Sequence, residues 1–428
     1  MLCPEEIGQK KACMLNVQNI EGLATDETTI LRIGFLSAGS FCLYEGFQTW
    51  VRGRIETNPQ VVWYCILIYL TAFMLLALTF TSPDLASKLR DVIPISLMAV
   101  SLASAYVMFQ ISYKGAYRTD ALAFTHYAAD LFLSKGLNPY PVDLQEALHR
   151  FAVDPIYITL MPNGDISTTL AYPSLHFLIF VPFIVVGLND MRWVLLLFEA
   201  ATVATLYMKS PRELKPIILL PIFISADLAI DFNAGAVTDF LWVLPMVWTA
   251  FYMKDPFRCG VFYGIACAIK QEPWIVAPFL LIWMLNLRKG SLTVRMCNVL
   301  KFAGATLTSF VIPNLLFVIK DPIAWLSGVF TPASGALVVL SQGLSMLTQS
   351  GIAPLPPAFY LATTIVIFLT LVANYLVYFD KMRHSIWLLP ALTMWFSYRA
   401  LQNYFMYWMP VMVAELLADH LERRGHVL

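Results

Sequence analysis

The chain has 428 residues, 59% of them apolar and 13% charged, with 28 Lys and Arg against 28 Asp and Glu. A net charge of zero gives no electrostatic case for nucleic-acid binding, which depends on neutralising phosphates. Apolar runs long enough to cross a bilayer, about 20 residues each, recur from about residue 30 to the C-terminus. Together these features predict an all-α, polytopic helical protein of the cell membrane.

The first 29 residues are polar and mixed, with Lys10 and Lys11, and lack the short basic-then-apolar pattern of a cleaved signal peptide. They are expected in the cytoplasm, with the first spanning helix as insertion signal. Spans are expected at about 30–50, 61–80, 92–112, 191–208, 216–231, 237–254, 258–270, 273–288, 298–319, 359–379, 385–400 and 403–420, so about 12–13 transmembrane helices in all. Residues 30–91 read as an N-terminal transmembrane hairpin and 92–428 as the core. The segment 172–188 is short and starts at Tyr172-Pro173, so a re-entrant or interfacial path is preferred to a crossing. Seven cysteines show no Cys-x-x-Cys or Cys/His cluster, so neither a disulfide framework nor a zinc site is expected.

Lys and Arg in short loops set the orientation. The basic group Arg288, Lys289, Arg295 and Lys301 is placed in the cytoplasm, and the other short basic loops follow, with Arg52 and Arg54 as exceptions. Two long extracytoplasmic loops result, 113–171 and 320–358. In the first, Asp120 to Ser134 reads as an interfacial helix with a polar stripe of His126, Asp130 and Ser134. Gly136 suits the left-handed position after its C-terminus, and Asn138-Pro139-Tyr140-Pro141 forbids its continuation. An amphipathic stretch follows at 143–153, with Leu144, Leu148, Phe151 and Ala152 on one face.

Several polar residues fall on the outer side. Asp120, near the head of a helix at the membrane surface, can take a proton from a hydroxyl; equally, Thr119 or Asp120 can cap that helix. His126 and Asp130 are spaced as a surface pair, and Tyr127 shares the face of Asp120. Lys270 and Glu272 join two apolar spans with almost no loop. A buried charge there is costly, so Lys270 either snorkels, pairs with Glu272 or faces a polar cavity, where it can meet a phosphate. Arg399, Gln402 and Asn403 break the last two spans, and an arginine can grip a phosphate bidentately or anchor at the interface. Asp231, Asn233 and Asp239 flank an ordinary helix connection; a metal site of paired carboxylates there is the weaker reading.

At these residues the chain resembles the GT-C superfamily of membrane glycosyltransferases, and in particular the prokaryotic polyprenyl-phosphate-mannose-dependent mannosyltransferases. The matching order is an apolar span, Arg118-Thr119-Asp120, a helix with Tyr127, then Gly136-Leu137-Asn138-Pro139-Tyr140 and Ala171-Tyr172-Pro173. Asn233-Ala234-Gly235, Gly264 to Lys270 with Pro273, Gln342-Gly343-Leu344-Ser345, and Arg399 with Tyr404 complete it, over about residues 92–420. The resemblance implies an inverting transfer of a sugar, mannose first, from a polyprenyl-phosphate donor to a lipid or glycan acceptor on the extracytoplasmic face. It places Asp120 as general base and Lys270 and Arg399 on the donor phosphate. Arg118, His126, Tyr127, Asn138, Tyr140, Asn233, Glu272 and Asn403 are the accompanying substrate-binding candidates. No cofactor or metal is implied, with a divalent cation left open. The partners are donor, acceptor and membrane lipids. The family pattern is altered at Phe124, at Pro173-Ser174 and at Asn233-Ala234-Gly235, which bears on sugar identity. A transporter or flippase of lipid-linked sugars and a non-catalytic scaffold of an envelope-assembly complex are the competing classes.

Overall fold

The computed structural model describes residues 27–52, 59–81, 116–211, 237–287, 291–401 and 403–423, with isolated positions between 85 and 89 and between 214 and 218. The described chain is mostly helical, and its strands are one two-residue pair. It divides into two compact units, one drawn from Met1–Val107 and Tyr207–Asp227, the other from Met108–Leu206 and Leu228–Leu428. The expected spans 92–112 and most of 216–231 lie outside the described residues, as do Asp231 and Asn233.

In the first unit, α1 (Glu27–Arg52) and α2 (Pro59–Phe80) pack as a hairpin. Gly39 and Gly46 are the points of closest approach: a Cβ on Gly39 would lie 2.9 Å from Leu76, and one on Gly46 2.8 Å from Ile68.

The second unit begins with the first long loop. α3 (Asp120–Lys135) follows Thr119 in extended conformation and stops at Gly136, whose φ of 63° is the left-handed turn expected there. The amides of Gly136 and Leu137 close back on the carbonyls of Phe132 and Leu131, which satisfies the last turn. Of the expected polar stripe of α3, Ser134 is exposed and Asp130 half-buried, but His126 turns inward. His126 is 4% exposed, with Nδ1 2.9 Å from the Tyr117 hydroxyl and its ring stacked on Phe151. Asp130 pairs with Arg150 at 2.5 Å instead of with His126. The short α4 (Gln145–Arg150) supplies that arginine and buries Leu144, Leu148 and Phe151 as its amphipathic pattern requires. Ala152 leaves that face, exposed at a φ of 47°, because the helix has already ended.

The stretch 172–188 forms two short helices, Leu175–Leu178 and Val181–Val185, with Pro173 and Pro182 at their starts. Together Leu175–Val185 spans roughly half a hydrocarbon core. Next come α5 (Arg192–Lys209), α6 (Phe240–Phe251), α7 (Pro256–Ile269), α8 (Ala277–Asn286) and α9 (Leu292–Lys320). α7 and α9 form the tightest helix pair of this unit. Gly260 and Gly264, one turn apart, sit directly on α9, where a Cβ would strike the carbonyl oxygens of Phe302 and Thr306. Two small residues one turn apart let the two backbones come into contact.

After α10 (Pro322–Phe330), β1 (Leu340–Ser341) precedes α11 (Pro357–Val377) and α12 (Leu388–Trp395), and β2 (Arg399–Ala400) precedes α13 (Met409–Arg423). β1 and β2 pair in parallel, Leu340 opposite Arg399. α9 and α11 are long and apolar enough to cross a membrane, with shorter apolar helices at Cys65–Phe80, Phe240–Phe251, Pro256–Ile269 and Glu272–Asn286.

Candidate active site

Asp120 is the first residue of α3 and is 8% exposed. Its carboxylate does not cap the helix in the usual way, and Thr119 makes no side-chain cap. Oδ2 instead accepts the backbone N–H of Thr159 at 2.7 Å. Burial pushes the carboxyl above its ordinary range, opposed by the Thr159 N–H and by the positive charge of Arg399. A carboxylate so placed is a competent proton acceptor that the protein has kept out of bulk water.

Arg399 reaches this acid through three backbone segments. Its Nη1 donates to the Val338 carbonyl at 3.1 Å, and the Val338 amide donates to Leu160 at 2.9 Å, next to the residue that holds Asp120. The parallel β1–β2 pair fixes the same end of the arginine. The Gln342 amide donates to Ala400 and the Leu344 amide to Trp395, while the Ser345 hydroxyl donates to the carbonyls of Ser397 and Tyr398. Two motifs far apart in sequence, 342–345 and 399–404, are therefore one structural feature. Arg118 lies over the Tyr157 ring, 4.3 Å from its centroid, and donates to the Tyr157 hydroxyl.

A second, deeper group is built where α7 ends. Lys270 breaks the helix with an extended backbone, and Glu272 starts the short turn that leads into α8. The Lys270 ammonium is 5% exposed and lies 2.9 Å from Asp239 Oδ1 and 2.9 Å from Glu272 Oε1. Pairing with Glu272 was one of the expected arrangements. Asp239, fully buried at the head of α6, is the partner that local spacing did not reveal. Its Oδ1 also accepts the Trp242 indole N–H at 2.9 Å, and its Oδ2 accepts the Asn403 amide at 3.0 Å. The Lys270 ammonium, which the resemblance places on the donor phosphate, is paired here with Asp239 and Glu272. Two carboxylates already occupy it, and a buried lysine needs such partners.

Tyr172 connects the two groups. It lies within the Coulombic range of both Asp120 and Lys270, its ring stacks on His176 at 4.2 Å, and Lys270 Nζ is 5.7 Å from its centroid. Lys270 Nζ also lies 5.9 Å from the centroid of the Tyr404 ring.

Of the sequence-derived candidates, Asp120, Arg399, Lys270, Glu272 and Asn403 come together in this region. Tyr127, His126, Asn138 and Tyr140 do not enter it. The Tyr127 hydroxyl donates to Glu146, so it ties α3 to α4. His126 sits between Tyr117 and Phe151. The Tyr117 hydroxyl accepts the Met191 amide and donates to His126 Nδ1, which fits a neutral imidazole, and burial lowers the His126 pKa to about 4. Asn138 accepts the Tyr140 amide. Tyr140 supports the site from below: its hydroxyl donates to the Tyr172 carbonyl at 2.8 Å and lies 3.0 Å from Ser174 Oγ. Asn314 and Gln271 lock the same segment, the first through the Ser174 amide and the second through the Ala171 carbonyl.

Comparison with family models, with curated proteins and with solved structures finds no match for this chain.

Proposed function

We propose that the chain is a multi-pass membrane glycosyltransferase of GT-C type. It transfers a sugar, mannose first, from a polyprenyl-phosphate donor to a lipid or glycan acceptor at the extracytoplasmic surface. The observation that carries this reading is the placement of Asp120: a buried carboxylate at the head of α3, held by the Thr159 amide, with Arg399 tied through Val338 to the neighbouring Leu160. Asp120 takes the proton of the acceptor hydroxyl. The oxygen attacks the anomeric carbon, the bond from that carbon to the phosphate oxygen breaks, and polyprenyl phosphate leaves with inversion. Arg399, with Arg118 nearby in sequence to Asp120, stabilises the charge that develops on the phosphate. The about 12–13 crossings and the outward-facing active site belong to the same proposal, supported by the apolar helices α9 and α11.

The test is purified protein with radiolabelled polyprenyl-phosphate sugars and an acceptor extract. Transfer is expected in the wild type and lost in Asp120→Asn. Undiminished transfer in that variant removes Asp120 as base.

One observation favours a second reading. Transporters place charges at interrupted helices, and Lys270, Asp239 and Glu272 form such a buried group where α7 breaks. Flux of a lipid-linked sugar in liposomes without any transfer selects that reading.

A further inference from the structure

The deep group around Lys270 holds one ammonium against two carboxylates, an excess of one negative charge. An anionic phosphate is repelled there. A metal ion is disfavoured as well, because the Lys270 ammonium already occupies the position between Asp239 and Glu272. Two side-chain atoms in this group are nevertheless buried without a hydrogen-bond partner: Glu272 Oε2 and His176 Nε2. Their residues are 8% and 0% exposed.

Both atoms are acceptors. Oε1 of Glu272 takes Lys270, which leaves Oε2 as a carboxylate oxygen with its lone pairs unused. His176 Nδ1 lies 2.9 Å from the Ile269 carbonyl, which can only accept, so Nδ1 carries the proton and Nε2 is a bare lone pair. Buried acceptors of this kind call for donors. Tyr172 stacks on His176, the centroid of the Tyr404 ring lies 5.9 Å from Lys270 Nζ, and both tyrosines are half-buried as residues. Two unused acceptors beside half-buried aromatic residues match a neutral ring that carries hydroxyls on its edge and C–H groups on its face.

We infer that Glu272, His176 and Tyr172 form the recognition site for a monosaccharide ring, whose hydroxyls donate to Glu272 Oε2 and His176 Nε2. The inference rests on the glycosyltransferase reading and divides the donor between two poles. The sugar lies against the Lys270 group, and the phosphate lies at Arg399. Lys270 then acts as a positioning residue that orients the Glu272 carboxylate.

The experiment is saturation-transfer NMR on the full chain in detergent micelles, with the methyl α-glycosides of mannose, glucose and galactose as sugar probes and farnesyl phosphate as phosphate probe. At least one glycoside is expected to bind. Removing one particular hydroxyl from it should weaken binding tenfold or more, because that hydroxyl donates to a carboxylate. Glu272→Gln and His176→Phe should weaken the glycoside at least tenfold and leave farnesyl phosphate within twofold, and Arg399→Ala should do the reverse. The inference is overturned if no glycoside binds the wild type, if every deoxy analogue binds like its parent, or if the two poles lose both probes together. The deoxy series needs no variant and so does not depend on how Glu272→Gln folds. Glycoside binding with this dependence, but no transfer in the donor assay, keeps the sugar site and removes the transferase. Transfer that Glu272→Gln leaves unchanged in KM and sugar preference keeps the transferase and removes the site.

Discussion

Lys270→Met is the sharpest perturbation of the second unit. The wild-type ammonium is buried and sits 2.9 Å from each of two carboxylates. At an effective dielectric of about 20, charges a few ångströms apart attract by roughly 4 kcal/mol before desolvation is subtracted. Removal of the lysine leaves Asp239 and Glu272 as two buried like charges, and breaking a buried pair in this way costs about 3–5 kcal/mol. The acids behave differently, because the group has one carboxylate more than it can neutralise. In Asp239→Asn the amide oxygen still accepts from Lys270 and Trp242, the pair Lys270–Glu272 becomes neutral, and only the acceptor for Asn403 changes. That loss is about 1 kcal/mol, the scale of one altered hydrogen bond. Glu272→Gln should cost about as little. The double variant Lys270→Met/Asp239→Asn should be more stable than Lys270→Met alone, since it removes a like-charge repulsion. Equilibrium unfolding in detergent at neutral pH measures the series. If Lys270→Met costs no more than Asp239→Asn, the ammonium is not the centre of this group.

The transfer rate should rise with pH along a limb above the usual carboxylate range, because burial raises the Asp120 pKa and only the ionised form accepts a proton. Asp120→Asn should lower the rate by about 10²–10⁴-fold at the plateau while folding normally, since its amide oxygen can still accept the Thr159 N–H; circular dichroism and transfer kinetics check both. Stability should fall as pH drops from the ordinary histidine value near 6.5 toward about 4. The unfolded chain takes up a proton at His126 that the folded chain refuses, a linkage of at most about 3 kcal/mol. In His126→Phe that slope should become shallower in unfolding curves measured across the window, the remainder belonging to other buried groups such as His176. Gly264→Leu should separate α7 from α9 and abolish folded protein on size exclusion, whereas Gly304→Ala, where an added Cβ meets nothing within 4 Å, should stabilise by up to about 1 kcal/mol.

What the sequence made legible was local. Gly136 ends α3 because the left-handed turn is a property of one residue and its neighbours, and Lys270 and Glu272 were readable as a pair because two positions separate them. Asp239 was not readable as their partner: its contacts to Lys270 and Asn403 span 31 and 164 residues, and no periodicity reports such distances. The four-residue spacing of His126 and Asp130 suggested a surface pair, but Tyr117, Phe151 and Arg150 close over that face and take each side chain separately. The Gly260-x-x-x-Gly264 contact did carry a visible signal, two small residues one turn apart in an apolar run. β1 and β2 carried none, since two residues are too few for any alternation to register.

The same strand pair bears on how Asp120 and Arg399, the proposed base and phosphate ligand, keep their distance. No helix joins Asp120 to Arg399. Thr159 holds the acid, Leu160 holds Val338, and Val338 holds the guanidinium, so the spacing is set by loop backbone braced by β1 and β2. Gly343 is where this brace is tightest: a Cβ there would strike the Trp395 carbonyl oxygen and lie 2.8 Å from the Ala400 Cβ. Gly343→Ala must therefore push β2 away from β1 or tilt it, and Arg399 moves with its strand. Neither charge is altered, so the expected effect is geometric. A misplacement of about 1 Å can cost on the order of 10²-fold in rate, seen as a fall in kcat for transfer in the protein that still folds, together with a loss of stability because the clash is with backbone. If Gly343→Ala transfers at the wild-type rate while Arg399→Ala does not, the arginine acts through its charge alone, and the brace has no part in positioning it.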